Sequence, residues 1–96
     1  MDLTDYRKEI DIIDKEITAL FIKRLGLSGK IAEYKLQNNL PITDEKREAE
    51  KLASIKKLVT DNCGSEDDAR ITADLFTKIM DLSKERQHEI RQSNPL

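Results

Sequence analysis

Ninety-six residues leave room for one small domain whose own core would be marginal, and burial shared with a second chain would relieve that. Hydrophobic and charged residues each make up 38%, Gly and Pro are few, and the core is aliphatic, which reads as a helical bundle rather than a disordered or membrane protein. A net charge of −2 gives no field for nucleic acid, no stretch approaches ~20 consecutive apolar residues, and the acidic opening lacks a signal-peptide core. The chain therefore reads as cytoplasmic, with neither nucleic acid nor a membrane as partner.

The first element is one long helix over about residues 4–36, capped by Asp2 or Thr4. Leu3, Tyr6, Ile10, Ile13, Ile17, Leu20, Arg24, Leu27, Ile31 and Tyr34 recur at spacings of three and four, the seam of an amphipathic helix, and Arg24 is its only charge. A helix of roughly 33 residues is on the order of 50 Å long, whereas a compact chain of this size has a radius of gyration near ~13 Å. The helix must project beyond its own domain, and a second copy of the chain is the simplest cover for its seam.

Gln37 to Pro41 form a loop, since Pro41 excludes Leu40 from helical geometry. A second helix over about 44–61 is capped by Thr43 or Asp44 and turns Leu52, Ile55 and Val59 inward. Extended backwards, that stripe reaches Glu48 and Asp44. Gly64 is suited to the left-handed residue after the helix end, and Cys63, without a second Cys or a His nearby, reads as incidental. Ser65 and Asp68 match a capping box opening a third helix over about 66–91. Its stripe is Ala69, Thr72, Phe76, Ile79, Ser83, Gln87 and Ile90, and the tail from Ser93 to Leu96 is expected to fray. The fold class is thus all-α, a single domain over 1–96, with no internal repeat.

Each helix places polar groups on its apolar face: Arg24 on the first, Asp44 and Glu48 on the second, Ser83 and Gln87 on the third. Buried without partners these cost several kcal/mol for a charge and roughly 1–3 for a neutral group, so a shared polar cavity resolves them together. Lys35 follows Arg24 by nearly three whole turns and leans back toward it, and two cations on one face favour an anion between them. Singly, each has a plainer reading. Arg24 can pair with an acid across an interface, Ser83 can simply pack, Lys35 can be solvated, Gln87 can set bundle register, and Arg47 can be a surface ion-pair partner of its neighbours. Periodicity alone supports a polar pocket for a small anion inside a helical bundle.

The segments Arg7 to Asp14, Lys23-Arg24, Ile31 to Lys35, Pro41 to Asp44 with Arg47-Glu48, and Ser83 with Gln87 resemble, in order and spacing, the all-helical chorismate mutase family. That resemblance implies an intertwined homodimer of three-helix protomers whose active sites draw on both chains, and conversion of chorismate to prephenate without cofactor or metal. It also implies roles. Arg24 with Ser83 would bind the ring carboxylate, Lys35 and Arg7 the side-chain carboxylate, and Lys35 and Gln87 would donate to the ether oxygen. Glu48 with the backbone at Asp44 would hold the ring hydroxyl, and Arg47 would act indirectly. Arg7 precedes Arg24 by seventeen residues, about 25 Å along one helix, so it would be supplied to the partner's site. A chain of this length implies a free-standing mutase without feedback inhibition by phenylalanine or tyrosine. Two alternatives stand beside this reading: an isochorismate-pyruvate lyase on the same scaffold, and a non-enzymatic helical dimerisation module.

Overall fold

The computed structural model describes residues 1–93, which form three helices: α1 (Leu3–Gln37), α2 (Glu45–Asp61) and α3 (Glu66–Ser93). Of the tail expected to fray, Ser93 is the last residue of α3, and residues 94–96 lie outside the described residues. Among the described residues no helix is long and apolar enough to cross a membrane.

Local chemistry sets each boundary. At the start of α1 the Asp5 N–H donates to Asp2 Oδ1 at 3.0 Å and the Asp2 N–H to Asp5 Oδ2 at 3.2 Å, a reciprocal cap that selects Asp2 over Thr4. Asp44 rather than Thr43 caps α2, accepting from the Arg47 N–H at 3.0 Å. Ser65 and Asp68 close the expected box at α3, at 3.0 and 2.9 Å.

The ends of α1 and α2 share one device. The Leu40 N–H returns to Lys35 O and the Asn39 N–H to Leu36 O, with Asn39 at φ 54; the Gly64 N–H returns to Val59 O and the Cys63 N–H to Thr60 O, with Cys63 at φ 65. Both are Schellman endings with the left-handed residue just past the cap. Gly64 is therefore not the left-handed residue that its identity suggested. Cys63 takes that conformation, and Gly64 follows it because its α-carbon lies against Val59, where a Cβ would meet both the Val59 side chain and, at 2.9 Å, its carbonyl oxygen.

α3 is the element the other two share. Both α1 and α2 pack on α3, and neither packs on the other. The face of α3 is centred on Ala69, Ala73, Met80, Ser83 and Gln87, all buried, while Thr72, Phe76, Ile79 and Ile90 are half-buried at its flanks. The expected stripe thus missed Ala73 and Met80, because a helix gripped from two sides buries a broader arc than a single-stripe reading allows. On α1, Phe21, Leu25, Ser28, Ala32 and Leu36 face α3, with Ala32 fully buried. Ile42, 5% exposed, tucks the α1–α2 connection against the bundle.

The long seam of α1 lies on another side. Its nine apolar residues from Leu3 to Tyr34 are between 47% and 67% exposed, and every residue before Phe21 is exposed. Thirty-five helical residues span about 52 Å, which accounts for a longest dimension of 57 Å and a radius of gyration of 16.7 Å, against the ~13 Å of a compact chain this size. As its length required, the helix projects.

The turn at the end of α2 yields a test. Cys63→Gly removes the Cβ penalty of the left-handed backbone and is expected to raise stability by roughly 0.5–1 kcal/mol, whereas Gly64→Ala lowers it by about 1 kcal/mol or more. Denaturant melts of the two variants check this, and an Ala at position 64 that costs nothing would contradict the close approach.

Candidate active site

Because α1 and α2 lean on α3 without meeting each other, a cleft of about 550 Å³ remains between them, floored by α3. α1 contributes Arg24, Ser28 and Lys35, α2 and its cap contribute Asp44, Arg47, Glu48 and Lys51, and α3 contributes Ser83, Lys84 and Gln87. Leu27, Ile31, Ile42 and Met80 supply apolar wall. Six of the seven residues read from the sequence as binding or catalytic meet here, with Arg47, read as indirect, beside them. The seventh, Arg7, is exposed on the projecting half of α1 and outside the cleft.

The contacts run from one end of the cleft to the other. Arg24 donates through Nη1 to Ser83 Oγ, which itself donates to Ile79 O at 3.0 Å, so a buried serine aims the guanidinium. Ser28 Oγ donates to Arg24 O at 3.1 Å. Three turns on, Lys35 Nζ donates to Ile42 O at 2.7 Å and to Gln87 Oε1 at 3.4 Å. With its carbonyl oxygen turned to Lys35, the Gln87 amide keeps its NH₂ group for another acceptor. Glu48 Oε1 takes an ion pair from Lys84 Nζ at 2.8 Å, and Asp81 lies 3.6 Å from the same ammonium. Asp44 is occupied as the cap of α2: its Oδ1 accepts from Arg47 N–H and its carbonyl from Glu48 N–H.

Charge is distributed unevenly. The cleft carries five basic side chains, Arg24, Lys35, Arg47, Lys51 and Lys84, against the two carboxylates of Asp44 and Glu48, in a chain whose net charge is −2. Glu48 is committed to Lys84, and among the described residues neither Arg24 nor Arg47 has a carboxylate partner. Burial first, and the Arg47 cation second, hold the Arg24 guanidinium below its ordinary pKa. Arginine nevertheless stays charged, so the arrangement suits an anion. Lys84, by contrast, is held above its ordinary value, chiefly by its hydrogen bond with Glu48 against the opposing effect of burial.

One of the plainer readings changes, and two residues join the site. Arg47 is not a surface ion-pair partner of its neighbours: it faces the cleft and acts electrostatically on Arg24. Lys51 and Lys84 were not read from the sequence as site residues. Lys84 is only one position from Ser83, about 100° round the helix, and only the packing of α2 onto α3 turns that flank toward a cavity. Chemically, the site offers cations and hydrogen-bond donors at both ends of an apolar-walled space, while the lone thiol, Cys63, is exposed in the α2–α3 turn. Such a set can bind a dianion, hold its shape and stabilise charge on an oxygen.

A family profile described as chorismate mutase type II matches residues 6–88. The chain is 48% identical over 59 residues to a bifunctional chorismate mutase/prephenate dehydratase of Buchnera aphidicola, covering 58% of this chain and 15% of the relative. It is 36% identical over 78 residues to a T-protein of Haemophilus influenzae, covering 81% and 19% respectively. A chorismate mutase of Methanocaldococcus jannaschii is 41% identical over 56 residues, covering 58% and 57%. The chain thus spans less than a fifth of the two longer relatives and just over half of the third. No solved structure gives a significant match.

The two uncompensated guanidinium groups predict a gain in stability on removing one of them. Arg47→Met, which keeps the aliphatic stem, is expected to stabilise the ligand-free protein modestly, by under about 1 kcal/mol, because it relieves like-charge repulsion at a largely solvated site. A clear fall in melting temperature for Arg47→Met would show instead that Arg47 is paired in solution.

Proposed function

The chain belongs to the chorismate mutase type II family, and from that premise we propose that it rearranges chorismate to prephenate in a dimer whose two sites each use residues of both subunits. The observation that carries this reading is the convergence of Arg24, Lys35 and Gln87 on one cleft with cationic charge to spare.

Chorismate is a dianion whose enolpyruvyl side chain must fold over its ring before reaction. The [3,3] rearrangement then breaks the ether C–O bond as a C–C bond forms, within one molecule. No proton, nucleophile or leaving group is transferred. The enzyme's work is to hold the folded conformer and to stabilise the ether oxygen as it gains negative charge. In this reading Arg24, aimed by Ser83, takes the ring carboxylate, and Lys35 takes the side-chain carboxylate with Arg7 of the partner subunit. Lys35 Nζ, which donates to Gln87 Oε1 at 3.4 Å, and the NH₂ group of the same amide would donate to the ether oxygen together. Glu48 accepts from the ring hydroxyl, which the backbone at Asp44 helps to hold. Arg47 reinforces the positive potential behind Arg24.

The dimer follows from the same physics. An apolar seam about half exposed along 35 helical residues is far beyond what a monomer leaves to water. A second α1 laid antiparallel along it covers the seam and carries Arg7 across to the cleft.

Gln87 tests the mechanism. A glutamate in its place donates only when protonated, and its unperturbed pKa is near ~4.3. Gln87→Glu is therefore expected to be poorly active at neutral pH and to gain activity on acidification, while Gln87→Ala loses on the order of 10²-fold in kcat at every pH. Near-normal kcat for Gln87→Ala would remove Gln87 from the chemistry. Shared sites are tested by mixing: Arg7→Ala and Arg24→Ala, each inactive alone, should recover activity after subunit exchange, since one site of each mixed dimer has both residues intact. No recovery after verified exchange would contradict a site built from two chains.

A further inference from the structure

The ion pair between Lys84 and Glu48 joins α3 to α2 across the cleft at 2.8 Å, with the two side chains 29% and 25% exposed. It is unlike the other ion pairs among the described residues, which link neighbours within a single helix. Glu48 also has other cations within the same cleft: Arg47 precedes it, Lys51 lies three residues on along the same helix, and Arg24 and Lys35 face it from α1. A carboxylate released among these would swing onto one of them and neutralise the charge that the substrate's carboxylates need.

We propose that Lys84 is a positioning residue that keeps Glu48 apart from the anion-binding cations and fixes it as the acceptor for the substrate's ring hydroxyl. This rests on the mutase reading above. Lys84 Nζ binds Oε1 and leaves Oε2 free to accept, and Asp81 at 3.6 Å steadies the ammonium from the solvent side. Lys84 thereby serves two ends of the site at once. It leaves Arg24 and Lys35 unneutralised for the dianion, and it makes the site select a ligand that carries a hydroxyl donor at that end.

The hydroxyl's own bonds are neither broken nor formed in the rearrangement, so its contact is made in ground and transition states alike and its loss falls on KM. Lys84→Met, which keeps the stem, is expected to raise KM for chorismate about tenfold with kcat within about threefold, as for loss of a charge-assisted hydrogen bond. Preference for chorismate over the same dicarboxylate lacking the ring hydroxyl, measured as the ratio of inhibition constant to KM, should fall by a similar factor. Lys84→Arg should retain both properties. The added change Glu48→Gln in the Lys84→Met background should lower KM again, because it removes the carboxylate that occupies the cations. A merely structural Lys84 would lower stability without moving the hydroxyl preference, and the two substitutions would add; that pattern overturns the proposal. Lys84→Gln serves in the same comparison if the Met variant does not fold. Wild-type turnover is measured first: its absence overturns the mutase reading and this role with it, whereas turnover with unchanged KM and preference in the Lys84 variants overturns this role alone.

Discussion

A guanidinium half-buried between helices, with a neutral serine as its hydrogen-bond partner and a second guanidinium near it, is the constraint on which the site depends. A charge drawn even partly out of water without a counter-ion is unfavourable, so the arrangement is poorly explained by stability alone. Arg24 is held in this state by the buried Ser83 hydroxyl, and its lowered pKa records both burial and Arg47. The partner suited to that arrangement is an anion. The rest of the cleft is consistent with one of a particular shape, since Lys35 stands three turns along α1 from Arg24 and beside Gln87 of α3, with aliphatic wall between.

The packing that makes this possible is economical in residues. α3 carries small or flexible side chains, Ala69, Ala73 and Met80, where it supports the other helices, and then Ser83 and Gln87 where it floors the cleft. Since α1 and α2 touch α3 and not each other, the space between them is a consequence of topology rather than of a loop or lid. The same geometry leaves the α1 seam uncovered, so the feature that demands a second chain and the feature that demands a ligand lie on one helix. In the proposed dimer, coupling the two through Arg7 would make assembly a condition of activity.

Much of this was legible in the sequence because helices report periodicity directly. The three helices, the cap at Ser65 and the inward polar residues Arg24, Glu48, Ser83 and Gln87 all follow from spacing and residue type. What was not legible depended on neighbours. Ala73 and Met80 are buried because two helices grip α3, and a single-stripe reading has no place for a second partner. Lys51 and Lys84 look like solvated charges until α2 is laid on α3. Cys63, not Gly64, adopts the left-handed turn because the close approach of the chain to Val59 falls one residue later and claims the glycine. Arg7 illustrates the opposite case. Nothing in periodicity distinguishes it from a surface residue, and only resemblance to the family assigns it a role.

The most direct test of the account is to incubate the purified protein with chorismate and follow the products by NMR. Loss of chorismate matched by prephenate, with no pyruvate released and with turnover abolished in Arg24→Ala, is the predicted result. Release of pyruvate, or chorismate left unchanged by a dimeric, folded protein, would contradict it.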